Sequence, residues 1–305
     1  MRQNRVKYTF LLPAYKVTFL EEALISIRNQ SLKDFNCLVS DDCSPENIKG
    51  VFDKTVGDDP RFVYRCNEEN MGGKSLVSHW NLLVGLCGTD YLIMASDDDI
   101  YGIDFLKQID VLIEKYPKLD IFRAKARRSG DGITILTDGN MPELLAQSEF
   151  QEYFGRKTMV HCLANYVFKT SALQAMGSFP DFPKAAKSDS ATAICLSKNG
   201  IAVTKDVLFT FRMSHENLSS VNGYEKNLID TANANLMFAD WYKKKFGIAY
   251  PYKSFVEDVV FYLSARMHLV SCFRYYFAFR RRGYFCGIKP LFTICKNWMK
   301  IHYEN

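Results

Sequence analysis

The chain has 305 residues, 48% of them apolar, with 39 Lys and Arg against 34 Asp and Glu, a formal net charge of +5. That composition excludes a disordered or fibrous protein and leaves room for one large domain or two modest ones. The charge is unevenly placed: residues 255–305 hold eight basic and three acidic side chains, so the first 254 residues balance at 31 against 31 and the surplus sits on an aromatic-rich tail.

Apolar runs alternate with helical patterns through the first two thirds of the chain. Tyr8 to Leu12 predicts a strand, and Glu21 to Asn29 an amphipathic helix with Leu24, Ile25 and Ile27 inward. Phe35 to Ser40 predicts a second strand, Pro45 to Lys54 a short helix capped by Ser44, and Arg61 to Arg65 a third strand. Lys74 to Leu86 reads as a helix, Tyr91 to Ala95 as a strand, Ile103 to Tyr116 as a helix and Leu119 to Ala124 as a strand. Such strand-helix repeats imply a mainly parallel sheet covered on both faces, with ligands bound beyond the carboxyl ends of the strands.

After residue 125 the alternation loosens. Arg127 to Gly132 reads as a turn, Ile133 to Leu136 as a strand, and Pro142 to Phe154 as a helix. Asn165 to Phe168 is extended, Ser171 to Met176 and Ser188 to Lys198 are helical, and Ile201 to Thr204 and Val207 to Phe211 are two further strands. Beyond Gly223 only helices are expected, broken at Tyr250-Pro251.

The apolar run near the N-terminus is too short for a signal peptide and ends at Pro13, which points to a cytoplasmic protein. Nine cysteines without a CxxC pair argue for reduced thiols and against a zinc site. No apolar stretch of the tail reaches bilayer-spanning length. Arg280-Arg281-Arg282 among aromatics predicts peripheral contact with an anionic membrane surface, the competing reading being apolar helix faces packed on the body. Aromatics at helical spacing argue against nucleic-acid binding.

The strand ends carry the chemistry. The first gives Pro13-Ala14-Tyr15, the second Asp41-Asp42-Cys43-Ser44, and the strand at 91–95 gives Ser96-Asp97-Asp98-Asp99-Ile100-Tyr101. Three consecutive carboxylates repel one another, and a hard divalent cation with oxygen ligands relieves that repulsion, so the run suggests a metal-bound diphosphate; a solvated acidic loop is the alternative. A second acidic pair on a neighbouring strand can accept hydrogen bonds from a base or ribose, with Tyr15 stacked on the base. A receiver-type phosphorylation domain places its acidic pair after the first strand, where this chain has Pro and Tyr. Gly73-Lys74-Ser75 lacks the earlier glycine of a P-loop, because Glu68 stands there, and no GxGxxG follows the first strand.

Taken in order, LLPAY, EEALISIRNQSLKDF, VSDDCSPE, NEENMGGKSLVSHWN and YLIMASDDDIY resemble the GT-A glycosyltransferases of family 2, over roughly residues 6–215. The resemblance implies a Rossmann-like GT-A α/β domain, mainly parallel and flanked by helices, over residues 1–221, with a helical C-terminal extension over 222–305. It implies a metal-dependent, inverting transfer of a sugar from a nucleotide-diphosphate donor, UDP by default, to a glycan or lipid-linked acceptor in surface polysaccharide synthesis. The enzyme would work in the cytoplasm, peripherally at the inner face of the membrane, and the alternative is a catalytically silent relative that only binds nucleotide sugar or glycolipid.

Carried over position by position, the resemblance makes Pro13, Ala14 and Tyr15 the lining of the nucleotide pocket and Asp42 the base contact, with Asn70 and Gly72 in the adjoining N-x-G loop. Asp97 would meet the ribose, and Asp98 with Asp99 would hold Mg²⁺ or Mn²⁺; a literal D-x-D reading pairs Asp97 with Asp99 instead. Inversion needs one base to deprotonate the acceptor hydroxyl, and the candidate is Asp189, which otherwise reads as a first-turn helix aspartate. Arg212 and His215 stand where the family's R-x-x-H segment closes over the diphosphate, and a surface turn is the other reading. His161 reads as a structural histidine before it reads as an acceptor contact.

Overall fold

Tyr8, Thr9, Phe10, Leu11 and Leu12 are all buried in β1 (Tyr8–Ala14), the pattern of a strand covered on both faces rather than one. The computed structural model describes residues 6–130, 133–214, 225–251, 256, 259–260, 269–285, 287 and 289–303. The chain divides into two compact units, residues 1–180 with 192–214, and residues 181–191 with 215–305.

In the first unit β1 leads through α1 (Leu20–Arg28) to β2 (Phe35–Asp41), α2 (Ile48–Val56), β3 (Phe62–Cys66), α3 (Gly72–Leu86), β4 (Tyr91–Met94), β5 (Ile100–Tyr101) and α4 (Phe105–Lys115). It continues with β6 (Ile121–Gly130), β7 (Ile133–Thr137), β8 (Leu144–Leu145), α5 (Gln147–Gly155), β9 (Tyr166–Lys169), α6 (Thr170–Ala175), α7 (Ser188–Leu196, whose first turn belongs to the second unit) and β10 (Ile201–Met213). The strands form one sheet in the order β3-β2-β1-β4-β9-β6-β10-β5, with β7 added to β6 and β8 to β10.

The sheet is mixed rather than mainly parallel. Its β3-β2-β1-β4 half is parallel, as the strand-helix repeats require, and β6 runs parallel to β10. Between these halves β9 is antiparallel to both β4 and β6, so the start of β9, not its end, lies at the carboxyl edge of β4 and β6. Residues 95–99 carry the chain along that edge, from β4 to β5 on the outer flank of β10.

Several expectations are corrected locally. The α1 face turned inward is Leu20, Ala23, Leu24 and Ile27, the i, i+3, i+4, i+7 stripe, and Ile25 is 42% exposed. The helix expected from Pro45 begins at Ile48, because Asn47 accepts the Gly50 N–H at 3.0 Å and so supplies the cap. Ser44 instead donates to the Tyr15 carbonyl at 2.6 Å. The turn expected at 127–132 is the end of β6, hairpinned to β7, and the two strands expected at 201–211 are one strand with irregular register between Val203 and Phe209. The helix expected from Pro142 starts only at Gln147, after β8.

One ion pair lies wholly inside this unit. Arg123 and Asp138 are fully buried with Nη2 and Oδ2 2.6 Å apart; Arg123 also donates to the Val160 carbonyl, and Asp138 accepts from the Ala126 and Val160 amides. Each charge is met by backbone partners as well as by the other, which is the condition for an ion pair to be tolerated without water.

The second unit contains α8 (Glu225–Phe246), α9 (Leu269–Arg281) and α10 (Lys289–Tyr303). The sequence expectation set the boundary at 221/222; here residues 181–191 group with the later helices. The reason is aromatic: the Phe182 ring meets Phe238 edge-on at 6.4 Å and Trp241 at 6.2 Å, and Phe238 packs on Tyr250 at 5.2 Å. No described helix is long and apolar enough to cross a membrane.

Candidate active site

The carboxyl edge of the parallel strands is tied together by backbone amides. Tyr15 and Lys16 donate their N–H groups to Asp97 Oδ2 at 3.0 and 3.1 Å, so the loop after β1 is held by the loop after β4. The Asp42 amide donates to the Ala14 carbonyl at 3.0 Å, which ties β2 to the same place. Pro13 is half-buried and Ala14 buried, while Tyr15 is 40% exposed.

Asp42 is buried and heavily engaged. Its Oδ1 accepts from Asn67 Nδ2 at 2.8 Å and the Met71 amide at 2.9 Å, and its Oδ2 from the Gly72 amide at 2.7 Å. A carboxylate has about four lone-pair directions, so one remains for an outside donor. A Cβ on Gly72 would stand 2.9 Å from Asp42 Oδ2, which is why only glycine fits that close approach. Asn70 caps the same turn by accepting the Gly73 amide. Beneath it His79 is fully buried with Nε2 2.9 Å from Ser40 Oγ and 3.2 Å from Asn67 Nδ2; burial pushes its pKa below the usual histidine value, against the pull of Asp42. Cys43, just after Asp42, holds the left-handed backbone conformation (φ 53°) that turns the chain at this strand end.

The three carboxylates after β4 face different surroundings. Asp97 is raised above the ordinary carboxylate range by burial, an effect opposed by the two amides it accepts. Asp99 is buried at 1% exposure, and both its oxygens take protein donors: the Arg212 amide at 2.9 Å on Oδ1, and Ser96 Oγ and Cys162 Sγ on Oδ2. Asp98 is half-buried, and the hydrogen bond that favours its charged form comes from the Ser96 side chain. Burial raises both Asp98 and Asp99, Asp97 repels Asp98, and Asp98 repels Asp99. The run is therefore short of positive charge, and its oxygen-only donors suit a hard divalent cation. Among the described residues no group of three or more His, Cys, Asp or Glu forms a ready cage, so the chain's own share of such a site is small.

Arg212 ends β10 against this loop. Its Nε donates to the Asp98 carbonyl at 3.0 Å, its guanidinium pairs with Glu22 and lies over the Phe19 ring at 4.0 Å. The fork expected to clamp a diphosphate is thus engaged by α1 and by the acidic loop. His215 lies outside the described residues. His161 bonds Tyr166 through Nδ1 at 2.8 Å and stacks edge-on with Phe154, as a structural histidine does.

Asp189 stands in the first turn of α7, in the second unit, half-buried, with Oδ1 accepting the Ser190 amide at 2.7 Å. Lys184, Ala185 and Lys187 just before it all have positive φ, at 58°, 55° and 75°. Three non-glycine residues in that region within four positions store strain of a kind that clusters at functional sites.

The residues missed from the sequence are the supports: Asn67, His79 and Ser40 under Asp42, and Glu22, Phe19, Ser96 and Cys162 around Arg212 and Asp99. The one available signal was the N-x-x-N-x-G spacing of Asn67, Asn70 and Gly72.

The family model "Glycosyl transferase family 2" matches residues 9–176. A GalNAc(5)-diNAcBac-PP-undecaprenol beta-1,3-glucosyltransferase of Campylobacter jejuni is 30% identical over 94 residues, which are 30% of this chain and 30% of that enzyme. Among solved structures, S. aureus TarS 1-349 in complex with UDP-GlcNAc aligns with a TM-score of 0.62 at 15% identity, over 98% of this chain and 93% of that one. The mannosyltransferase PcManGT of Pyrobaculum calidifontis, in complex with GDP-Man and Mn²⁺, aligns with a TM-score of 0.58 at 14% identity, over 98% and 81%. These likenesses bear on the fold.

Proposed function

The chain belongs to glycosyl transferase family 2, and from that membership we propose that it transfers a sugar from a nucleotide-diphosphate donor to a glycan or lipid-linked acceptor with inversion at the anomeric carbon. The observation that carries the proposal is the tied strand edge, where the loops after β1, β2 and β4 converge through the Tyr15 and Lys16 amides that Asp97 accepts and the Asp42 amide that donates to the Ala14 carbonyl. Tyr15 offers its exposed ring to the base, and Asp42 its remaining lone pair to a base N–H. Asp97, which accepts the Tyr15 and Lys16 amides, would meet a ribose hydroxyl.

Mg²⁺ or Mn²⁺ fits the charge deficit of the acidic run. We assign its protein contact to Asp98, because Asp99 is spent on Arg212, Ser96 and Cys162. When bound, the ion would neutralise the diphosphate as it departs. Arg212 acts as a positioning residue that holds the acidic loop through its amide and guanidinium. Asp189 would take the proton of the acceptor hydroxyl as the hydroxyl oxygen attacks the anomeric carbon opposite the leaving diphosphate. UDP is the default nucleotide, and the Campylobacter relative, named for an undecaprenol-linked sugar, supports a lipid-linked acceptor in surface polysaccharide synthesis.

The test is nucleotide release from a panel of UDP-, GDP- and dTDP-sugars with Mn²⁺ and lipid-linked acceptors. Asp189→Asn is expected to lower kcat by about 100-fold to 10,000-fold with the donor KM little changed. Donor binding without turnover on every acceptor, with Asp189→Asn indistinguishable from the parent, would mean a silent binding protein.

A further inference from the structure

From Val259 to Tyr303 the sequence runs 45 residues without a single Asp or Glu while carrying eight Lys and Arg. The structure changes which of those cations count. Arg282, the last of the Arg280-Arg281-Arg282 run, is paired with Asp240 through Nε at 2.7 Å and Nη2 at 2.5 Å, and its aliphatic stem is partly covered. The triple arginine is therefore not the centre of a free cationic patch.

Helix α10 is. It buries Ile294 and half-buries Leu291, Trp298 and Ile301, one face at i, i+3, i+7 and i+10. Beside that face a second apolar stripe points outward: Phe292, Met299 and Tyr303 are 68%, 51% and 76% exposed. At about 100° per residue these three fall within roughly 40° of one another around the axis, and Lys296, Lys289 and Lys300 follow on one side over about the next 60°. Single exposed apolar residues are ordinary, but three aligned ones bordered by lysines, with no acid on the helix, form an amphipathic surface with one sign of charge. On α9 the pairing recurs, with Val270 (77% exposed) and Phe277 (44% exposed) sharing an outward face with Arg274 and Arg281.

We propose that α10 is a membrane-surface helix that seats Phe292, Met299 and Tyr303 among the headgroups of an anionic bilayer while Lys289, Lys296 and Lys300 pair with the lipid phosphates. The chemistry matches on both counts: apolar side chains reach the acyl boundary, and lysine stems extend their ammonium groups to the headgroups. Charge complementarity selects a lipid surface over a neutral partner, since an all-cationic rim gains only from an anionic one. At 15 residues, with lysines at 289, 296 and 300, α10 is too short and too charged to span a bilayer, so this contact is in the plane of the membrane. The inference stands on its own and does not require the transferase reading.

The test is flotation of the full chain with phosphatidylcholine vesicles, with and without phosphatidylglycerol, at low and moderate salt. Co-flotation is expected only with the anionic vesicles and is expected to weaken with salt. Replacing Lys289, Lys296 and Lys300 with Gln is expected to weaken partitioning about fivefold per lysine. The combined Phe292→Ser, Met299→Ser, Tyr303→Ser variant, whose changes all lie on exposed positions, is expected to abolish flotation at moderate salt with an unaltered thermal midpoint. Wild-type protein that stays with the soluble fraction on anionic vesicles at low salt overturns the proposal. So does a solution dimer dissolved by the serine variant, which would assign the stripe to a second copy of this chain.

Discussion

Two acidic loops lie on the same edge of the sheet, after β2 and after β4, and they treat their charge in opposite ways. Asp41 and Asp42 are surrounded by donors: Ser44 N and Tyr64 Oη on the first, and Asn67, Met71 and Gly72 on the second. After β4, burial and mutual repulsion push Asp98 and Asp99 up, and the arginine beside them turns its guanidinium to Glu22 and a carbonyl. The first loop has donors for most of its acceptor capacity, and the second is left with mutually repelled carboxylates, the feature on which the proposed cation site rests. Identical residue types thus give a mainly scaffolding carboxylate with one lone pair to spare in one place and a charge-deficient run in the other, and donor supply makes the difference.

The sharpest way to break that contrast is Asp98→Asn. Nucleotide release is expected to fall about 100-fold or more, while the thermal midpoint holds or rises because a repelled carboxylate has been removed. A variant that unfolds, or one that retains full turnover, would place Asp98 in the scaffold class. Asp42→Ala should behave in reverse as a folding lesion, since three donors lose their acceptor; a loss of about 2–4 kcal/mol in denaturant unfolding is expected. Gly72→Ala, which forces a Cβ against Asp42 Oδ2, should cost about 1–3 kcal/mol and weaken donor binding in proportion. Denaturation midpoints equal to wild type would show that the loop re-forms without that contact.

The smallest expected effect concerns pH. The raised native values of Asp98 and Asp99 mean that the folded chain keeps protons the unfolded chain releases. Their contribution to stability is therefore full in acid, below the unfolded carboxylate value, and is lost as pH rises through the raised values. A divalent cation acts on the ionised form, so the gain in thermal midpoint on adding Mn²⁺ should grow between about pH 5 and about pH 8. His79 has the opposite sign: its lowered value gives stability that is present above the ordinary histidine value and lost as pH falls through the lowered one. A Mn²⁺ increment that is flat with pH would remove the charge-deficit argument for the second loop.

Much of this was readable before the structure. The parallel half follows from apolar runs at strand length, and the residues after β1, β2 and β4 do meet. What could not be read is who supports them. His79 lies in a helix of mixed pattern, and nothing in SHWN distinguishes a buried histidine from an exposed one until Ser40 and Asn67 are seen beside it. Arg123 was equally hidden, because an arginine within an apolar strand normally marks an exposed position, and only Asp138 and Val160 make its burial affordable. The continuity of β10 was masked by Lys205-Asp206, polar residues at the irregular part of the strand.

That Arg123 also sets a timetable. Its charge has no partner until residue 138 has been made, and its second acceptor arrives only at residue 160. Strand β6 likewise has no place beside β4 until β9, residues 166–169, fills the gap between them. A chain emerging from the ribosome can therefore close β3-β2-β1-β4 early, while β6 must wait for some 40 further residues of synthesis. Fragments released after residue 140 should carry β6 only as a hairpin with β7 and stay more open to protease there than fragments released well beyond 169, so that the two halves of one sheet are separated in time before they are joined in space.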